Sequence, residues 1–205
     1  MGHRGLIVDL VCHDGSPQPA RRLVDQHLLD QDGVHFRRGG HQINTAQQLG
    51  TGHAVQQSAP NVPDDALILV LYGDVPLISV ETLKALTDAA SDTLAIVTVE
   101  LAQPKGYGRL LRDAQSRVTG IVEEKDASDA QRRITEVNTG LMAAPARLLK
   151  PWLTQIQNKN ANGEFYLTDV VGFAVRDGLP VKTVSAADAE EVEGVNDRAQ
   201  LARME

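Results

Sequence analysis

Aromatic residues are scarce in this chain: 205 residues include one Trp, three Tyr and three Phe. Otherwise the composition is that of an ordinary soluble globular protein. There is a single cysteine, Cys12. That excludes an intrachain disulfide and makes a reducing cytoplasm the natural expectation. Cys12 also has no partners at zinc-ligand spacing, and no Ser/His/Asp or Cys/His pattern suggests a nucleophile. No apolar run approaches the length needed to span a membrane. The patch Leu6–Val11 is broken by Asp9 and is too short and polar for a signal peptide. Positive charge is in deficit, with 20 Lys and Arg against 27 Asp and Glu and a net charge of -7. A nucleic-acid-binding face needs the opposite balance. The deficit does not exclude a small phosphorylated substrate held locally. Internal repeats, heptads and low-complexity linkers are absent, and the length suits one full core, or one domain with an appendage.

The strongest signal present is Ala66–Leu71, an unbroken apolar run that stops at Gly73-Asp74 and is followed by Pro76. Such a run reads as a strand buried on both faces, of the kind found inside a parallel sheet. In open α/β sheets ligands bind beyond the carboxyl ends of these strands. Asp74 is thereby delivered to a ligand-binding edge.

From Ile43 onward the pattern is regular. Gly50-Thr51-Gly52-His53 opens a short helix through Ser58. Ser79 is an N-cap for a helix over Glu81–Ala90 with an acidic first turn. Strands are expected at Leu94–Leu101, Arg109–Arg112, Val118–Glu123, Val137–Ala143 and Val181–Val184. Within Val137–Ala143, Asn138-Thr139-Gly140 suggests a bulge or a close backbone approach. Asp126–Arg133 is a loop or short helix. Amphipathic helices fit Arg147–Ile156 and Leu167–Arg176, the second with Gly178 just past its end, and another begins at Arg198–Met204. The alternation predicts an α/β fold with a mixed, mostly parallel sheet, and the short strands at 107–123 predict a lobe closing over the site. Residues 1–42 differ in texture. A βαβ-like start can be drawn there, with strand Leu6–Val11, helix Ala20–Leu29 and strand Val34–Phe36; the alternative is an aberrant segment.

Each polar motif has a functional and a plain reading. Asp74 is either a Mg²⁺ ligand, since that ion takes oxygen donors and few carboxylates, or a turn aspartate bonding its own backbone. Gln48-Leu49-Gly50-Thr51-Gly52 could let backbone approach a ligand at a helix start, with Gln48 meeting a base edge. It lacks the Gly-Lys-Ser/Thr of a P-loop, and a turn explains it as well. His53 reads as a helix-start residue. Asn196, after the acidic Glu190–Glu193, could offer a neutral oxygen to the same metal as Asp74, or simply end a solvated run. Gly106–Arg109, Glu123–Asp126 and Asn138–Gly140 are polar turns beside strands, able to meet sugar hydroxyls or to be structural.

In order, these motifs are more specific than singly. Gln48–Ala54, Leu71–Leu77, Gly106–Arg109, Ile121–Glu123, Asn138–Gly140, Gly163–Asp169 and Glu191–Asn196 together resemble the uridylyltransferase domain of the bacterial bifunctional N-acetylglucosamine-1-phosphate uridylyltransferase and glucosamine-1-phosphate acetyltransferase. The resemblance runs from about Ile43 to Glu205. It implies a Rossmann-like nucleotide-diphospho-sugar transferase fold, a partial nucleotidyltransferase domain over 43–205, and an atypical segment over 1–42. It implies uridylyl transfer from UTP to N-acetylglucosamine 1-phosphate with Mg²⁺, in cell-wall precursor synthesis. Carried over, Gln48, Gly50, Thr51, Tyr72 and Gly73 would hold the nucleotide. Gly108, Glu123 and Asn138 would hold the sugar, and Asp74 and Asn196 the metal.

The chain also departs from that family. The expected Gly-rich signature, with its catalytic Arg and Lys, is missing. Residues 1–42 contain no Lys, and their only adjacent glycines are Gly39-Gly40. No catalytic residue is therefore assigned. Thr45 stands where the family usually has a base-contacting Gln, and the β-helix acetyltransferase half has no counterpart. Residues 1–42 are read as a frame-shifted start, a divergent start of a weakened enzyme, or part of a remnant that binds nucleotide sugar without turnover. The sheet is expected to be incomplete there unless Leu6–Val11 supplies the neighbour of the 66–71 strand. Oligomeric state is left open.

Overall fold

The computed structural model describes residues 8–13, 34–36, 41–43, 49–72 and 75–194, the first three segments as backbone strands only. The strands are β1 (Val8–His13), β2 (Val34–Phe36), β3 (His41–Ile43), β4 (Leu67–Tyr72), β5 (Leu94–Glu100), β6 (Gly108–Arg112), β7 (Val118–Val122), β8 (Glu136–Pro145) and β9 (Val181–Ser185). The helices are α1 (Thr51–Ser58), α2 (Val80–Ala89), α3 (Asp129–Arg132), α4 (Ala146–Leu153) and α5 (Asp169–Arg176). The strands form one sheet in the order β3-β2-β1-β4-β8-β5-β9, with β6 branching from β8 and pairing with β7.

β4, β5 and β8 form its centre because each carries a run of consecutive, not alternating, apolar residues: Leu67–Leu71, Leu94–Val97 and Leu141–Ala144. Ile68 and Val70 of β4, Leu94 and Ile96 of β5, and Met142 and Ala144 of β8 point into one core layer, which α1, α4 and α5 cover. Leu69, Leu71, Ala95, Val97, Leu141 and Ala143 point into the opposite layer, with Leu83 and Leu86 of α2. The period-two alternation thus gives a helix–sheet–helix sandwich.

The sheet is mixed as expected, but its parallel share is smaller than expected. Among the described residues β1–β2 and β5–β9 are parallel. The other pairings are antiparallel. The reason is β8, which runs counter to both β4 and β5 and lies between them. β4 is therefore buried on both faces without parallel neighbours. β1 lies along its other edge, from Val8 opposite Tyr72 to His13 opposite Leu67. A strand does occupy the place proposed for Leu6–Val11, displaced by two residues and antiparallel to β4. The expected helices over 20–29 and 198–204 lie outside the described residues.

Local signals explain most element ends. Ser79 accepts a hydrogen bond from the Thr82 N–H and caps α2, with Glu81 in the first turn. Ser128 and Gln131 form a capping box around α3. α4 stops at Leu153, short of the expected Ile156, after Pro151 has removed one helical donor. The expected lobe at 107–123 is the β6–β7 hairpin, tied to the main sheet through Gly108 opposite Asn138. Buried Glu191 closes the far side: Oε1 accepts from the Ser79 N–H at 3.0 Å and hydroxyl at 2.5 Å, and Oε2 from the Ala187 N–H at 2.9 Å. Burial pushes this carboxyl up, but the bonds from Ser79, Thr82 and Ala187 outweigh it and hold it below its ordinary value.

Ile96 is fully buried and Leu77 is 43% exposed. Ile96→Ala should cost roughly 2–5 kcal/mol in urea unfolding, from lost transfer energy and the residual cavity. Leu77→Ala should stay within about 0.5 kcal/mol. Equal effects would contradict this division of core and surface.

Candidate active site

The site is organised by a defect in β8. Between Ile96 and Thr98 the β5–β8 register shifts, so that Thr139, Gly140 and Leu141 stand opposite Val97. The Thr139 hydroxyl repairs the ladder. It donates to the Val97 carbonyl at 2.9 Å and accepts from the Leu141 N–H at 3.3 Å. Gly140 takes φ +88°, and a Cβ there would lie 2.2 Å from Tyr72 Cε2. Only glycine combines that conformation with the approach of the ring. The other edge of β8 changes partner at the same place. β4 pairs with it as far as Met142, and β6 takes over at Asn138. The expected bulge and close approach at Asn138–Gly140 are both present.

Three candidate sugar-binding residues, well separated in sequence, meet beside this defect. Gly108 lies opposite Asn138. A Cβ on Gly108 would stand 3.2 Å from Glu123 Oε2, at the end of β7. Asn138 is buried, and its Oδ1 has no partner among the described residues. An orphaned buried oxygen is costly and marks a place where a donor from a ligand or water belongs.

The segment after Gly163 forms the next wall, and it holds two residues the sequence reading did not single out. The Thr168 hydroxyl donates to Glu123 Oε1 at 2.8 Å. The buried Tyr166 hydroxyl has no hydrogen-bond partner among the described residues. Both lie in the Gly163–Asp169 motif, which was noticed as a unit without assignment of its members. Burial raises the Glu123 carboxyl above its ordinary 4.5, against the Thr168 bond and with the Asp126 and Glu164 charges adding to it. Burial likewise raises Asp169, helped by Glu123 and Asp126.

Gly50 and Thr51 have a structural employment of their own. The Gly52 N–H donates to the Phe165 carbonyl at 2.8 Å, and the Phe165 N–H to the Leu49 carbonyl at 2.8 Å. Thr51 Oγ1 accepts from the Leu167 N–H at 3.2 Å. A Cβ on Gly50 or Gly52 would lie 2.8 Å from the Phe165 carbonyl oxygen. The first turn of α1 thus spends a donor on the protein's own backbone, not on an open anion site. His53 packs beside Phe165, ring centroids 6.1 Å apart, as suits a helix-start residue. The stretch Glu164–Thr168 links the Gly50–Thr51 turn on one side to Glu123 on the other. Tyr72 lies at the carboxyl end of β4, against Gly140. Gln48, Gly73, Asp74 and Asn196 lie outside the described residues. Among the described residues no cluster of three or more His, Cys, Asp or Glu could hold a metal ion.

The fold defines a class. The chain superposes on UDP-glucose pyrophosphorylase complexed with UDP-glucose at TM-score 0.59 and 13% identity, covering 78% of this chain and 61% of that one. It carries the nucleotide-diphospho-sugar transferase fold, with the open sheet of that class. No protein-family model matches the chain. By sequence it is 58% identical over 158 residues to "Bifunctional protein GlmU" of Alkalilimnicola ehrlichii, covering 77% of this chain and 34% of that protein. It is 46% identical over 206 residues to the protein of the same name from Xanthomonas axonopodis pv. citri, covering 93% of this chain and 45% of that one. The chain is thus a homologue of part of the GlmU proteins, and it spans less than half the length of these curated relatives.

Two outcomes follow. Gly140→Ala should destabilise the fold by more than about 2 kcal/mol, because left-handed strain of about 1–2 kcal/mol adds to displacement of the Tyr72 ring. In a Tyr72→Ala background the cost should fall to the strain alone, and a double-mutant cycle with no coupling would contradict the contact. Glu123 gives a pH signature. A carboxyl whose folded pKa is raised contributes stability that is intact below its ordinary 4.5 and is lost as pH rises through the folded value. Urea unfolding from about pH 4 to about pH 8 should show Glu123→Gln gaining on wild type as pH rises. A constant gap would count against burial of the charge.

Proposed function

We propose that the chain is a sugar-1-phosphate nucleotidyltransferase that moves a uridylyl group from UTP to N-acetylglucosamine 1-phosphate, releasing diphosphate. The observation that carries this reading is the meeting of Gly108, Glu123 and Asn138 at one place beside β4, with an unpaired buried amide oxygen among them. A sugar ring presents hydroxyls and an amide, and these are the donors and acceptors such a place satisfies. The GlmU relationship supports this reading, and the fold, shared with a protein solved with UDP-glucose, is consistent with it.

In the reaction a phosphate oxygen of the sugar phosphate attacks the α-phosphorus of UTP. The bond from that phosphorus to the bridging oxygen breaks, and diphosphate leaves with the electron pair. No covalent enzyme intermediate is needed, so catalysis is positioning and charge neutralisation. Glu123, held by Thr168, and Asn138 would orient the sugar. Tyr72 with Gly73, and Gly50 and Thr51 with Gln48, would line the nucleotide side. Asp74 and Asn196 would hold Mg²⁺, and a carboxylate with an amide oxygen is a hard-donor set suited to that ion. When bound, Mg²⁺ supplies charge neutralisation at the phosphate oxygens.

The unit carrying this activity is residues 43–205, with 1–42 as an atypical segment, and its setting is the cytoplasm, in cell-wall precursor synthesis. Among the described residues no helix is long and apolar enough to cross a membrane. A second reading draws on one observation: residues 1–42 hold no Lys. Loss of a preorganised cationic group commonly costs about two to three orders of magnitude in rate. On that reading the chain binds the nucleotide sugar with little or no turnover.

Diphosphate release from UTP and N-acetylglucosamine 1-phosphate with Mg²⁺ separates the two. The enzyme reading expects release that Asp74→Ala or a chelator abolishes. Binding of UDP-N-acetylglucosamine without release selects the second reading, and absence of both binding and release rejects both.

A further inference from the structure

Arg109 in β6 is 2% exposed, an uncommon place for a guanidinium, since a charge leaves water only when hydrogen bonds and an opposite charge replace it. Its partners come from three segments. Nη1 donates to the Tyr107 carbonyl in the turn before β6. Nη2 lies 2.6 Å from Glu124 Oε2, in the turn after β7. Nη2 also donates to the Arg132 carbonyl, at the end of α3, at 3.4 Å. Nε is buried without a partner among the described residues. Glu124 reaches back, accepting from the Gly106 N–H at 3.4 Å and lying 3.9 Å from Arg132 Nε.

This knot sits directly behind the proposed sugar side. Gly108 immediately precedes Arg109, and Glu123 immediately precedes Glu124. The side chains of Arg109 and Glu124 therefore bind together the two backbone segments whose other residues, Gly108 and Glu123, face each other. The spacing between those two decides what fits there. Beyond β7, α3 adds a third fixed point through its last carbonyl.

We infer that Arg109 is a positioning residue: through Glu124 it holds Glu123 against Gly108, and so sets affinity for the sugar half of a sugar nucleotide without touching it. The inference rests on the reading of the site proposed above. A lysine at 109 keeps the charge but lacks the planar fork that reaches a carboxylate and two carbonyls together. A glutamine at 124 keeps an acceptor but removes the opposite charge.

The decisive measurement is calorimetric titration of the 205-residue chain with UDP-N-acetylglucosamine and, separately, with UDP. The comparison is wild type, Arg109→Lys and Glu124→Gln. Glu124 is 29% exposed, so its variant is expected to fold and to decide the matter even where Arg109→Lys does not. Loss of one charge-assisted hydrogen bond sets the scale. UDP-N-acetylglucosamine should bind about tenfold more weakly to Glu124→Gln, while UDP stays within about twofold. Equal weakening of both ligands, or no change in either, overturns the inference and makes Arg109 a structural residue only. Wild type that fails to prefer UDP-N-acetylglucosamine over UDP overturns the reading of the site, and the inference falls with it.

Discussion

The ring of Tyr72 lies against the backbone of Gly140, and the rest of the site is arranged around that contact. β8 must serve β5 along one edge while its other edge passes from β4 to β6. A regular strand would bring the two partners into line and close the sheet over the place where they part. The bulge at Thr139–Leu141 prevents this. Its conformational cost is limited because the Thr139 hydroxyl takes over both a donor and an acceptor role of the broken ladder. Glycine at 140 then allows the β4 terminus to press down, and Asn138, two residues away, is left with an unspent buried oxygen. Secondary-structure pairing, local strain and a ligand-seeking polar atom thus share one cause.

Electrostatics on the β7 side are tuned by the same crowding. Burial is the largest cause that raises the Glu123 and Asp169 carboxyls, and neighbouring charges add to it: those of Asp126 and Glu164 at Glu123, and those of Glu123 and Asp126 at Asp169. An anion cluster of this kind, with no ion-pair partner among the described residues, would repel a phosphate. It suits a neutral sugar ring, whose hydroxyls can donate to carboxylates. Among the described residues the one guanidinium buried nearby, that of Arg109, is already paired with Glu124 and so does not cancel the field at Glu123.

Much of the fold was legible in sequence because burial on both faces leaves runs without polar interruption, as at Ala66–Leu71 and Leu94–Val97. Ser79 was legible as a cap for a stereochemical reason, and Asn138-Thr139-Gly140 as a strand irregularity because glycine rarely interrupts a central strand without cause. Strand direction was not legible: a hydrophobic run reads the same both ways, so the counter-running β8 was missed. The roles of Gly50 and Gly52 were not legible either, since they depend on Phe165 more than a hundred positions away. Thr168 and Tyr166 carried no local signal beyond polarity at the start of a helix. Arg109 reads in sequence only as part of a polar turn at the start of a strand; the convergence of Tyr107, Glu124 and Arg132 explains its burial.

The two halves of the site depend on different parts of the chain, and this bears on what the unusual start can affect. Gly108, Glu123, Asn138 and Thr168 are positioned by β6, β7, β8 and the segment before α5, none of which pairs with β1, β2 or β3. β1 instead lies along β4, whose far end bears Tyr72. A changed start therefore reaches the Gly108–Glu123–Asn138 cluster only indirectly, through β4 and the Tyr72–Gly140 contact. On the proposed reading, recognition of the sugar and acceleration of the transfer are then physically separable. On the proposed reading the first rests on the β8 bulge, and the second on cationic groups carried by the Gly-rich signature that residues 1–42 lack.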